Sequence, residues 1–181
     1  MRGEKGGEKP LRPRLRGSMS LAIIGWLFTA GVLAHNAEEA WRLPAWSLSA
    51  GRWHPPVGPR AFRFAVAVLS VLLVLFALMA SFSEAGSIGA YLMAGYVLAM
   101  VLNVFFPHVL ATVVLRRYMP GTATALIFNL PLGLWYLNRA LAEDRIAGSV
   151  FVWAGPVVTA GILALIPVLF FLGRRWFAEP R

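Results

Sequence analysis

The chain has no cysteine. Disulfides and thiolate metal sites are therefore excluded, and any bound metal must take nitrogen or oxygen donors. Charge is scarce as well: Asp, Glu, Lys and Arg make up 14% of the 181 residues, against about 25% in ordinary soluble domains. Only eight residues are acidic and only three are histidine, so any place where such side chains gather stands out. The apolar runs lack the alternation of a barrel strand, and no internal repeat of the kind that builds most secondary transporters is present.

What is there is apolar. Hydrophobic residues are 59% of the chain and the mean hydropathy is +0.68. A soluble protein of this size cannot bury so much apolar surface, so the sequence reads as one integral membrane domain. The expected class is all-α, a polytopic bundle of about five transmembrane helices, because lipid offers backbone groups no partners outside a helix. The runs cover about residues 21–34, 62–82, 87–115, 122–137 and 149–172. The four residues 83–86 between the second and third runs are few enough to make those helices antiparallel neighbours.

Residues 1–17 read as a basic, disordered tail, 18–176 as a single transmembrane helical domain and 177–181 as a short tail. The start imitates a secretory signal, but the basic stretch is long and the residues beyond the candidate cut carry chemistry, so the segment is expected to be retained. The net charge of +9 sits in the tail and at the ends of apolar runs. That placement suits anionic lipid headgroups; with no recognition module beside it, nucleic acid is not an expected partner, and membrane lipids are. Arginines and lysines divide eight to nine between the two faces, so the basic tail beside the first helix is what favours an N-terminus inside. The link at 42–61 holds Pro44, Pro55, Pro56 and Pro59 with Trp46 and Trp53. It is expected to break the helix and lie along the interface.

The stretch HNAEEAW, residues 35–41, closes the first run. That run has about fourteen residues, short of the roughly twenty needed to span. Extending the helix through Trp41 makes up the difference and puts His35, Glu38 and Glu39 in its last turns. Positions i, i+3 and i+4 share a face, so an imidazole and two carboxylates project together. Such groups are expensive in lipid and face the bundle interior or a water-filled cavity. His108 lies inside the apolar third run. Counting back from Arg42 and Arg116 at about 1.5 Å per residue, His35 and His108 lie roughly 10–12 Å below the same membrane face. Pro107 frees the carbonyl of Asn103 at the same level. Asn129, Pro131, Pro156 and Pro167 read as kinks or packing features.

At these residues the chain resembles the HXXEE family of bacterial membrane proteins. HNAEE supplies the His-x-x-Glu-Glu motif, NVFFPH the family's Asn-to-His motif and YMPG its Tyr-x-Pro-Gly motif. The Asn-to-His spacing is one residue longer than the family's. The resemblance covers roughly residues 20–175 and supplies no reaction. It implies a bacterial origin and residence in the cytoplasmic (inner) membrane.

Together these readings point to a metal-dependent, membrane-embedded hydrolase acting at the lipid interface. His35 and His108 with one of Glu38 or Glu39 would hold zinc or another divalent metal, and the other glutamate would take a proton from bound water. Glu38 and Glu39 are thus both candidate metal ligands and candidate catalytic residues. Asn103, Tyr118, Pro120 and Gly121 are candidate substrate-binding residues. The alternatives are an ion- or proton-handling transporter and a non-enzymatic accessory protein whose polar cluster only packs helices.

Overall fold

The computed structural model describes residues 19–51 and 55–177. The expected basic tail, the short C-terminal tail after Phe177, and Trp53 and His54 in the link lie outside the described residues. The described chain is all-helical. Five helices follow one another: α1, Leu21–Ser47; α2, Pro59–Phe82; α3, Ile88–Val114; α4, residues 122–142; and α5, Gly148–Trp176. Four of them, all but α4, are long and apolar enough to cross a membrane. The regular part of α4 is only Leu130–Ala142, preceded by a π-type turn at Ala125–Asn129.

α1 begins at Ser20, whose hydroxyl accepts from the Ile23 N–H at 3.3 Å, an ordinary N-cap. It runs straight through HNAEEAW, so the ionisable residues are helical. It also runs past Pro44 to Ser47, which corrects the expectation that residue 42 opens a proline-broken link. Proline removes one ladder bond, the one to the carbonyl four residues back. That carbonyl belongs to Ala40, and Arg63 of α2 donates to it through Nε at 3.1 Å. The orphaned acceptor is satisfied from a neighbouring helix, and the last turn survives. Pro59 is in the first turn of α2, where no N–H is needed.

α3 starts on Ser87, which caps Ala90 N–H at 3.2 Å, and is α-helical to Asn103. A π-type segment follows at Val104–Val109, with Phe106 at φ −130, ψ 117, outside the helical region. The break falls where Pro107 cannot bond Asn103, and it re-aims His108 within an otherwise continuous helix. α3 ends with Arg116 in the left-handed region at φ 48.

Helices two and three pack against each other, as their short link requires, and α3 makes its most extensive contact with α5. The core is built from Ile24, Phe28 and Val32 of α1, Leu73 of α2, Met93 and Val97 of α3, and Ala140 of α4. Large apolar side chains on the outside, such as Val71 and Leu75 of α2 and Val152 and Leu163 of α5, are exposed, as lipid-facing positions should be. The α2 end of the bundle is fastened by Arg145, whose guanidinium donates to the carbonyls of Ala80 and Ser83.

Candidate metal centre

Within α1, His35 and Glu39 are one turn apart, while Glu38 lies on the other side of His35, about 100° around the helix from Glu39. That offset sorts the two carboxylates to different neighbours. Glu39 turns towards α3, where the break at Pro107 presents His108. Glu39 Oε1 lies 3.3 Å from His108 Nε2 and Oε2 lies 3.7 Å from His35 Nε2. The imidazoles meet edge to face with centroids 4.8 Å apart. Both are fully buried, and the Glu39 side chain is 16% exposed.

One donor atom from each of His35, Glu39 and His108 fits within a mutual distance of 4.8 Å. For metal–ligand bonds of about 2.0–2.2 Å, the edges of a tetrahedral site are roughly 3.4 Å. The Glu39–His108 edge already has this length, and the remaining donor separations are within 4.8 Å.

The hydrogen bonding leaves these donors available. His35 Nδ1 faces the Gly121 carbonyl at 3.1 Å and Thr124 Oγ1 at 3.2 Å. A carbonyl only accepts, so the proton is on Nδ1 and the lone pair on Nε2. That Nε2 and both ring nitrogens of His108 are buried without a hydrogen bond; the 3.3 Å approach of His108 Nε2 to Glu39 is not aligned as one. Unsatisfied buried acceptors cost about 1–3 kcal/mol each, and a cation placed among the three residues would recover that cost.

Glu38 turns to the 116–124 segment and α4. It accepts from Tyr118 Oη at 2.6 Å and from Thr124 Oγ1 at 2.8 Å, and Arg42 Nη1 approaches to 3.8 Å. With its oxygens so engaged, Glu38 stands outside the three-residue cluster. A chain runs from His35 Nδ1 through the Thr124 hydroxyl to Glu38, the arrangement in which a carboxylate orients a metal-binding imidazole. Partial burial, and the bond it gives to Glu38, push the Tyr118 phenol up, so Tyr118 remains a donor.

The YMPG turn is the third wall. Met119 and Pro120 are buried, and Gly121 has φ +93, which favours glycine. A Cβ there would lie 2.7 Å from His108 Cε1 and 2.8 Å from His35 Cε1. Gly121 therefore lets the backbone approach both imidazoles at once. Asn103 lines a cavity with Glu39 and Pro107. Thr124 escaped the sequence reading, although it stands one helical turn after the Gly of YMPG. Asn129, read there as packing, ends the π-type turn of α4 fully buried, with neither end of its amide hydrogen-bonded.

Residues 26–136 match the family described as "Protein of unknown function with HXXEE motif". The chain belongs to the HXXEE family. One relative, the "Uncharacterized protein YrkK" of Bacillus subtilis (strain 168), is 34% identical over 148 residues, 82% of this chain and 94% of the relative. No solved structure matches the chain. In this HXXEE protein the motif's first and last letters, His35 and Glu39, supply two of the three cluster residues, and its first Glu, Glu38, bonds Thr124 beside His35.

Tyr118→Phe removes the hydroxyl that joins Glu38 to the Ala123 N–H, to which it is 3.2 Å. Loss of such a supporting group weakens metal affinity by about 10–100-fold. Chelator competition on the purified protein reads this directly; unchanged affinity would detach Glu38 from the centre.

Proposed function

We propose that His35, Glu39 and His108 form a mononuclear divalent-metal centre, and that this HXXEE protein is a metal-dependent hydrolase embedded in a bacterial cytoplasmic membrane. The observation that carries the reading is the convergence on one carboxylate of two fully buried imidazoles whose Nε2 atoms make no hydrogen bond. A set of two nitrogens and one oxygen suits zinc or a similar ion and leaves a fourth position open, as catalytic sites do. The apolar helices and a relative in Bacillus subtilis support the location, since spanning proteins of the outer membrane are barrels.

A metal held there supplies a water of lowered pKa. The protein's own groups do the rest. Glu39 would hold the ion through one oxygen, and its second oxygen would take a proton from the attacking water and return it to the leaving group. His35 is held in its Nδ1–H form by Gly121 and Thr124. Glu38, anchored by Tyr118 and Thr124, positions His35 and does not enter the proton transfer. The apolar surround limits bulk water.

The test is metal analysis of the full chain purified in detergent, loaded in turn with zinc, manganese, iron and cobalt and then desalted. About one retained ion per chain is expected, with tetrahedral ligand-field bands for cobalt, together with chelator-sensitive hydrolysis of a short-chain aryl ester. Absence of stoichiometric metal with all four ions removes the centre. Metal without any hydrolysis removes the enzyme and leaves an ion-binding membrane protein.

A further inference from the structure

A cavity of about 480 Å³ adjoins the cluster, well within the roughly 300–1,000 Å³ of ordinary ligand pockets. Its walls are apolar: Leu43 of α1, Phe62 and Val66 of α2, Met119, and Phe170 of α5. Among the described residues, three polar side chains line it: Glu39, Asn103 and Arg174. Glu39 thus has two faces, one towards the imidazoles and one towards this hollow. A hydrocarbon chain suits such walls, whereas a peptide backbone would leave its N–H and C=O groups unpaired there.

Depth and charge narrow the occupant. Glu39 is three residues before Arg42, so it lies about 4.5 Å below the arginine level and His35 about 10 Å below it. That is the boundary between headgroup and hydrocarbon, given a core of about 30 Å within a bilayer of about 40–45 Å, and it is where the acyl esters of a lipid sit. The membrane face above the cluster carries seven of the nine arginines among the described residues. Its only described acids, Glu38 and Glu39, belong to the site. The opposite face has Arg139 and Arg145 against Glu84, Glu143 and Asp144. Arg174 stands at the cavity and is exposed, with no ion pair among the described residues. Among the described residues the site face is therefore the more cationic of the two, which favours an anionic headgroup there.

We propose that the substrate is an acyl ester of an anionic membrane lipid, with its chain in this cavity, its ester carbonyl at Glu39 and its anionic head at Arg174. The proposal rests on the hydrolase reading. The water oxygen bonds to the carbonyl carbon and the carbonyl-carbon-to-alkoxide bond breaks. The proton taken by Glu39 goes to the departing alkoxide, and the fatty acid leaves as its carboxylate with release of the water's second proton. The products are a lysolipid and a free fatty acid.

The experiment uses the metal-loaded full chain with mixed micelles of phosphatidylglycerol or phosphatidylcholine of identical chains, and mass spectrometry of lysolipid and fatty acid. Phosphatidylglycerol is expected to be hydrolysed at least tenfold faster. Arg174→Glu is expected to erase that preference while retaining one metal per chain. Ala65→Trp, which fills the cavity from α2, is expected to abolish turnover of both lipids; its metal content reports whether it has folded. If the wild type cleaves the short-chain aryl ester but neither lipid, or both lipids equally, the lipid proposal is overturned. If it cleaves no ester of any kind, the hydrolase reading falls and takes this one with it.

Discussion

Gly121→Ala is expected to empty the proposed metal centre. Two costs fall on one methyl group. The backbone at φ +93 disfavours an L residue by about 1–2 kcal/mol. The new Cβ would also stand 2.7 Å and 2.8 Å from the Cε1 atoms of His108 and His35, and 3.1 Å from Glu39 Cγ, so each of the three cluster residues must move. Metal sites tolerate displacements of only about 0.2 Å in ligand distance, and occupancy should fall from about one ion per chain to under roughly a tenth at concentrations that saturate the wild type. Gly121→Asn separates the causes. Asparagine tolerates the left-handed region but carries the same Cβ, so it should fail as badly. If the Gly121→Asn protein binds metal normally, crowding of the imidazoles is not what glycine prevents.

Gly95→Val is the substitution expected to damage the fold most. A Cβ at this position in α3 would lie 2.4 Å from Val158 Cβ and 2.7 Å from its Cγ1. Helices in lipid gain stability by close approach over small residues, with no hydrophobic term between them to offset a lost contact. Overpacking by even a methylene costs about 1–3 kcal/mol; a valine should sit at or above the top of that range. At about 2–4 °C per kcal/mol for a domain of this size, the midpoint in detergent should drop by roughly 6–12 °C. Adding Val158→Ala should return about half of the loss, because the two side chains compete for one volume. A single variant melting within about 1 °C of the wild type would mean that α3 and α5 do not meet at Gly95.

Much of the site was legible because membrane helices make depth countable. The i, i+4 spacing of His35 and Glu39, and equal distances of His35 and His108 from basic ends, suffice to bring them to one level. The division of labour between Glu38 and Glu39 was not legible. Both lie within about one turn of His35, and only the positions of Tyr118, Thr124 and His108 on other elements decide which carboxylate meets which partner. The persistence of α1 beyond Pro44 was hidden for the same reason: the donor that satisfies Ala40 is Arg63, twenty-three residues on. The YMPG motif marks Gly121 in the sequence as a substrate-binding candidate; its closeness to both imidazoles depends on how the turn folds back under the cluster.

At Pro44 the backbone ladder of α1 lacks one bond, and the two sides of that position are fastened to different partners. Upstream, the turns bearing His35 and Glu39 keep their hydrogen bonds and are pinned through Ala40 to Arg63. Downstream, residues 44–47 are tied instead to the 55–58 segment, since Ser47 Oγ donates to the Pro44 carbonyl at 2.8 Å and accepts from Val57 N–H at 3.1 Å. Val57 lines the apolar hollow, as does Leu43 just before the proline. The helix that supplies His35 and Glu39 to the cluster therefore also holds, through Ser47, one wall of the hollow in register with them.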